Sequence, residues 1–327
     1  MKDKRKLKNL AGGLLTAVIL LVTPLFIENI YWISLLVLIC INILLTSSIR
    51  IIWLTGEITL GHTGFMLIGA YTSSLLMMRY GFSFWFTIFC GAFAAGVIAF
   101  ILAFPYRRIR GIYFTILTVL TAESFRNLAY NWREVTGGRT GLFGVPSPGE
   151  VLIPWLGTVN FGGFSEYYYL TLFFVSLSLL ILYLIENSRY GLIWKAIKEA
   201  SILAGTVGIN VIWYNVINFA IAGFFAGLAG ALFAHFQHTL SADPRSSFGV
   251  MTCIYLVVYM VVGGEKRFIG GIIGVICLTL ISEFSRSLEE YQPMLVGAIA
   301  IAVVIAMPEG FVGIPNRIRQ LYSRVAR

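Results

Sequence analysis

The sequence predicts an all-α, polytopic integral membrane protein, a single domain over residues 1–327 with about ten transmembrane helices. Three observations carry this. The chain is 58% hydrophobic and only 12% charged, whereas a soluble domain is about 25% charged. Its apolar residues gather into runs near the ~20 residues that a helix needs to cross a bilayer. Its 24 Lys and Arg fall between those runs, so the net charge of +9 reads as a topology signal and not as a nucleic-acid surface.

Taken in order, clear spans lie at 11–27, 31–52, 84–105, 111–131, 167–186, 212–236, 268–285 and 294–308. Two more, 56–78 and 250–264, are weaker: the first is rich in Gly and Thr and the second is short. Counting both gives ten spans and dropping both gives eight, and charge alone leaves re-entrant segments open at these two places. With ten spans and the N-terminus inside, 18 of the 24 basic residues lie on the inner side. Both termini are then cytoplasmic and the loop 136–146 is external. The first 22 residues resemble the basic and apolar regions of a signal peptide. Thr23-Pro24-Leu25 is a poor cleavage site and more spans follow, so an uncleaved first helix is expected. Five spans before Tyr167 and five after it would run in opposite senses, which permits an inverted repeat, although no sequence echo links the halves.

Chemistry-bearing motifs are few. No GxxxxGK[ST] loop, HExxH or GxSxG elbow occurs, and the three histidines are dispersed. Cys40, Cys90, Cys253 and Cys277 stand singly in apolar runs as small hydrophobes. No covalent chemistry, cofactor or metal is expected, so active movement of a solute would draw energy from another subunit or an ion gradient. Glu57 and His62, with Thr63 beside them, sit in the weak Gly/Thr-rich segment as candidates for lining a pathway, against a structural role for the histidine. Glu123 with Arg126 and Glu283 with Arg286 read as self-neutralising i,i+3 pairs. Gly223-x-x-x-Gly227 and Gly270-x-x-x-Gly274 permit close helix packing.

One inner segment stands apart. In KAIKEASILAGTVGIN (195–210), Trp194, Ile197, Ser201 and Ala204 recur at helical spacing. Lys195 and Glu199 form an i,i+4 pair on another face, and Gly205 and Gly208 end the helix. From composition the segment at 188–211 is either an interfacial linker lying on lipid or a docking helix for a cytoplasmic partner.

Six blocks in order resemble branched-chain amino-acid ABC transporter permeases of the LivM type. GEITLGHTGFMLIGAY (56–71), RIRGIYFTILTVLTAE (108–123), TGGRTGLFGVP (136–146), KAIKEASILAGTVGIN, FAIAGFFAGLAGALFAH (219–235) and PEGFVG (308–313) carry the resemblance. It implies a permease subunit of an ABC importer in the bacterial cytoplasmic membrane, translocating branched-chain or related amino acids. The implied partners are a second, LivH-type permease, two ATPase subunits, an extracytoplasmic solute-binding protein and the lipid around them, with no nucleic acid. It also implies that Lys195, Ala196, Ile197, Glu199, Ala204, Gly208 and Ile209 form the ATPase-coupling helix, and that Gly137, Gly138 and Gly141 belong to a surface receiving the binding protein. The chain departs from the family pattern at Leu192, at Ser201 and at the inserted charges Glu265, Lys266 and Arg267. A urea- or amide-type permease of the same scaffold and an ion-coupled secondary transporter are the alternatives. A membrane acyl or lipid transferase, which would cluster polar residues at one interface, is a further rival.

Overall fold

Apolar runs become helices because a lipid-embedded backbone must satisfy its own N–H and C=O groups. A computed structural model describes residues 29–313 apart from 107, 110, 154–156, 308 and 309, and it is mostly helical. In chain order the helices are α1 (Ile30–Trp53), α2 (His62–Tyr80), α3 (Phe84–Tyr106), α4 (Ile112–Asn131) and the short α5 (Arg133–Thr136). They continue with α6 (Phe164–Glu186), α7 (Arg189–Thr206), α8 (Val211–Gln237), α9 (Val250–Gly263), α10 (Phe268–Phe284) and α11 (Gln292–Ala306). The expected span at 11–27 and both chain ends lie outside the described residues.

Among the described residues four helices, α1, α3, α6 and α8, are long and apolar enough to cross a membrane, and α9 with α10 would make a fifth if counted as one broken span. The protein is therefore a multi-pass membrane protein. The ten spans expected are not all seen among the described residues, and two of them take a different form. The expected span 56–78 begins only at His62, because Gly56 (φ +88°) turns the chain and Gly61 caps the helix. The expected span 250–264 is a helix of 14 residues, about 21 Å long at 1.5 Å per residue and short of a ~30 Å hydrocarbon core. It stops at Gly264 (φ +115°) and turns by 115° into α10.

Burial sorts the bundle. Over their apolar windows α1 and α8 are 83% and 78% buried, whereas α3 and α6 are 39% and 44% buried. The first two form the centre, and the others turn a side outward. On α3 that side is Phe86, Phe89, Phe93, Val97, Ile101 and Phe104, an apolar stripe at helical spacing suited to lipid. The centre is tight because α8 is built from small residues. A Cβ on Gly230 would overlap the Met66 carbonyl oxygen, and one on Gly69 would overlap that of Gly227. Close backbone approach of this kind gives van der Waals contact where lipid supplies no hydrophobic drive.

The chain departs from an all-α reading in two small places. Leu142–Phe143 (β1) pairs antiparallel with Thr239–Leu240 (β4), and Glu150–Ile153 (β2) pairs with Gly157–Asn160 (β3). Both lie in connections, where backbone groups outside a helix need partners.

Candidate functional site

The segment singled out between α6 and α8 forms a real helix, α7, and its local chemistry explains why. Ser188 caps it, its hydroxyl accepting from the Tyr190 N–H at 3.2 Å. A Cβ on Gly191 would overlap the Glu186 carbonyl, so glycine there lets α7 fold back sharply against the end of α6. Trp194 is fully buried and its indole N–H donates to the Tyr214 carbonyl of α8 at 2.9 Å. Ile197 and Ala204 are buried on the same side. Gly208, in the left-handed region at φ +87°, turns the chain out of the helix toward α8.

α7 is not straight. Ala200 has φ −155° and ψ 77°, a break inside the helix. Beyond it Ile202, Leu203 and Val207 are 82%, 66% and 76% exposed, a surface far too apolar to be left to water. At the break a cleft of about 470 Å³ opens between α7 and the turn before α2, lined by Gly56, Glu57, Lys198, Glu199, Ser201 and Asn215 among others. The Lys198 chain lies against Gly56. Ala196, Lys198, Glu199 and Gly208 are exposed and Ile209 half-buried.

The expected Lys195–Glu199 pair does not form. Lys195 Nζ instead lies 3.6 Å from Oε1 of Glu186, a buried carboxylate whose field is less screened than that of solvent-exposed Glu199. Glu186 is itself held by Arg50 of α1, with Nε to Oε2 at 2.8 Å and Nη2 to Oε1 at 2.9 Å. The third arm of Arg50 donates from Nη1 to the Glu265 carbonyl at 2.5 Å. Sequence reasoning counted Arg50 only as an inner charge and Glu186 only as a span end. A lone charge closing an apolar run was the available signal.

The three pathway candidates each meet a different partner. Glu57 accepts from the Gly111 N–H at 3.0 Å, at the head of α4. His62 is fully buried, with Nε2 2.7 Å from the Ser48 hydroxyl. Thr63 is also buried and contacts Cys253 of α9, whose Sγ lies 3.3 Å from both its N and Oγ1. Each of these contacts ties two elements of the bundle together.

The glycine-rich loop lies at the other end of α8, a helix of 27 residues and thus about 40 Å long. Gly137, Gly138 and Gly141 have φ of +76°, +60° and +80°, which only glycine adopts freely. A Cβ on Gly141 would strike the Leu240 carbonyl beside the β1–β4 pair. Two histidines stitch the following segment to the end of α8. His235 Nδ1 donates to the Pro146 carbonyl at 2.8 Å and His238 Nδ1 to that of Val145 at 2.9 Å. No metal-holding cluster of His, Cys, Asp or Glu occurs among the described residues. Arg126 pairs with Glu123 at 2.6 Å and donates to the Ala242 carbonyl at 2.9 Å, a structural tie at this end.

Residues 31–307 match the sequence profile of the branched-chain amino acid transport system permease component. The chain belongs to that permease family. The permease is 30% identical over 277 residues to the high-affinity branched-chain amino acid transport system permease protein LivM of Escherichia coli, covering 80% of this chain and 64% of that one. It is 26% identical over 192 residues to the guanosine ABC transporter permease protein NupQ of Bacillus subtilis, covering 55% and 59%. It is 27% identical over 172 residues to a probable LivH permease of Methanocaldococcus jannaschii, covering 49% and 53%. The chain thus spans less than two thirds of the length of these relatives, each of which is a transport permease. No solved structure matches it.

Proposed function

We propose that this permease is the membrane subunit of an ABC importer for branched-chain or related amino acids. It would sit in the bacterial cytoplasmic membrane with a LivH-type second permease, two ATPase subunits and an extracytoplasmic solute-binding protein. The observation that carries this reading is α7. A kinked, amphipathic helix is fixed to α8 by Trp194, yet it presents exposed apolar and charged side chains beside an open cleft. In this reading α7 enters a groove of the ATPase and ATP-driven closure of the ATPase pair moves it. The glycine loop at the far end of α8 would face the binding protein. A first span in 11–27 and cytoplasmic termini would complete the topology, with the α9–α10 pair as a bent or re-entrant span; the 18-to-6 distribution of basic residues supports the sidedness.

The test is reconstitution of the complex purified from its own membrane, with ATP enclosed and labelled leucine, isoleucine or valine outside together with the binding protein. ATP-dependent accumulation is expected, and none with ADP. Accumulation that needs a proton gradient and ignores ATP would overturn the reading. The guanosine-transporting relative favours one second reading, a nucleoside as solute, and labelled guanosine in the same assay decides it.

A further inference from the structure

The Arg50–Glu186 pair joins more elements than a structural ion pair requires. Arg50 and Glu186 are 3% and 6% exposed. Each carboxylate oxygen takes one guanidinium nitrogen, and Oε1 also faces Lys195 of α7. The remaining guanidinium arm holds the Glu265 carbonyl, which lies in the corner between α9 and α10. One continuous polar path therefore runs from α7, through the ends of α6 and α1, to that corner.

The corner itself is closely packed. A Cβ on Gly263 would overlap the Gly270 carbonyl, and one on Gly274 would overlap that of Tyr259. Gly310 presses on Gly264 from outside. The two helices, bent by 115°, pack backbone to backbone at this corner. The far arm of that corner meets α2 through Cys253 and Thr63.

An apolar pair of equal volume would hold α1 against α6 as firmly, because burying two charges costs most of what their attraction returns. The fork geometry of arginine adds something else: a fixed angle to a carboxylate and a free arm for a third group. We infer that Arg50 and Glu186 are positioning residues that transmit displacement of α7 to the α9–α10 corner. This rests on the transport reading only for its purpose; the mechanical link is a property of the chain.

The link is tested on the full-length chain in lipid nanodiscs, by hydrogen exchange over residues 263–268. Lys195→Glu sets a negative charge beside Glu186 at an exposed position, so the fold tolerates it. Exchange at 263–268 is expected to rise about three-fold or more, although the substitution lies on another element. In an Arg50→Met/Glu186→Leu background, which leaves no buried charge unpaired, Lys195→Glu should leave 263–268 unchanged. No rise in the parent chain, or an equal rise in both backgrounds, would overturn the link. In the reconstituted complex, Arg50→Met/Glu186→Leu should lower solute accumulated per ATP hydrolysed. If exchange behaves as expected while even the parent complex shows no ATP-driven uptake, the transport reading fails and the link stands.

Discussion

The Trp194 indole, fully buried, reaches from α7 to the backbone carbonyl of Tyr214 on α8 at 2.9 Å. This one contact turns a connecting segment into a lever fixed to a central helix of the bundle. Removing it tests the lever. Trp194→Ala deletes a large buried side chain and should cost about 3–5 kcal/mol, lowering the thermal midpoint of the detergent-solubilised chain. Trp194→Phe loses only part of the volume and one hydrogen bond, about 1 kcal/mol, and should stay folded. Equal stability of Trp194→Ala and parent would show that α7 is not anchored there.

Glu199 is exposed beside the cleft and makes no ion pair with Lys195. If α7 docks an ATPase, Glu199→Arg reverses a charge at the contact while leaving the spans untouched. A desolvated pair across an interface loses about 2–5 kcal/mol when broken. Membrane levels should stay normal while ATPase co-purification and uptake fall many-fold. Ser201→Glu, which restores the acidic position of the family pattern, should be tolerated far better. An interfacial linker predicts otherwise, since its lipid contact depends on apolar residues; unchanged ATPase binding in Glu199→Arg would favour the linker.

At Gly141 two independent constraints meet: φ is +80°, and a Cβ would strike the Leu240 carbonyl. Gly141→Ala should therefore open the β1–β4 pair and loosen the loop, a cost of roughly 1–3 kcal/mol. Limited proteolysis within 137–146 should become faster. At Gly144, where φ is +73° but a Cβ meets nothing, alanine meets only the first constraint and should cost less. A reversed order of protease sensitivity would contradict this account.

Sidedness rests on the charge bias and on the 27-residue α8 that separates the two loops. In a cysteine-free chain, Thr140→Cys should react with an impermeant thiol reagent applied to intact cells. A cysteine added at either terminus should react only after lysis. Labelling of a terminal cysteine in intact cells would invert the proposed topology.

By itself the sequence determined the features that depend on composition and local pattern. Apolar runs located α1, α3, α6 and α8 to within three residues, because lipid demands a continuous apolar helix and no tertiary contact is needed to specify it. The helical spacing of Trp194, Ile197, Ser201 and Ala204 disclosed the inner side of α7: three are buried, and Ser201, next to the break at Ala200, is half-buried. Six collinear blocks revealed the family. Tertiary structure decided what depends on residues distant in the chain. The partner of Lys195 turned from Glu199, four residues on, to Glu186, because Arg50, 136 positions from Glu186, holds that carboxylate in a buried site. His62 meets Ser48 and Thr63 meets Cys253, partners on other helices that spacing along the chain does not announce. Spacing along a helix reports which side a residue takes; only the packed bundle reports what waits on that side, since a buried polar group takes whichever partner the fold brings within about 3 Å.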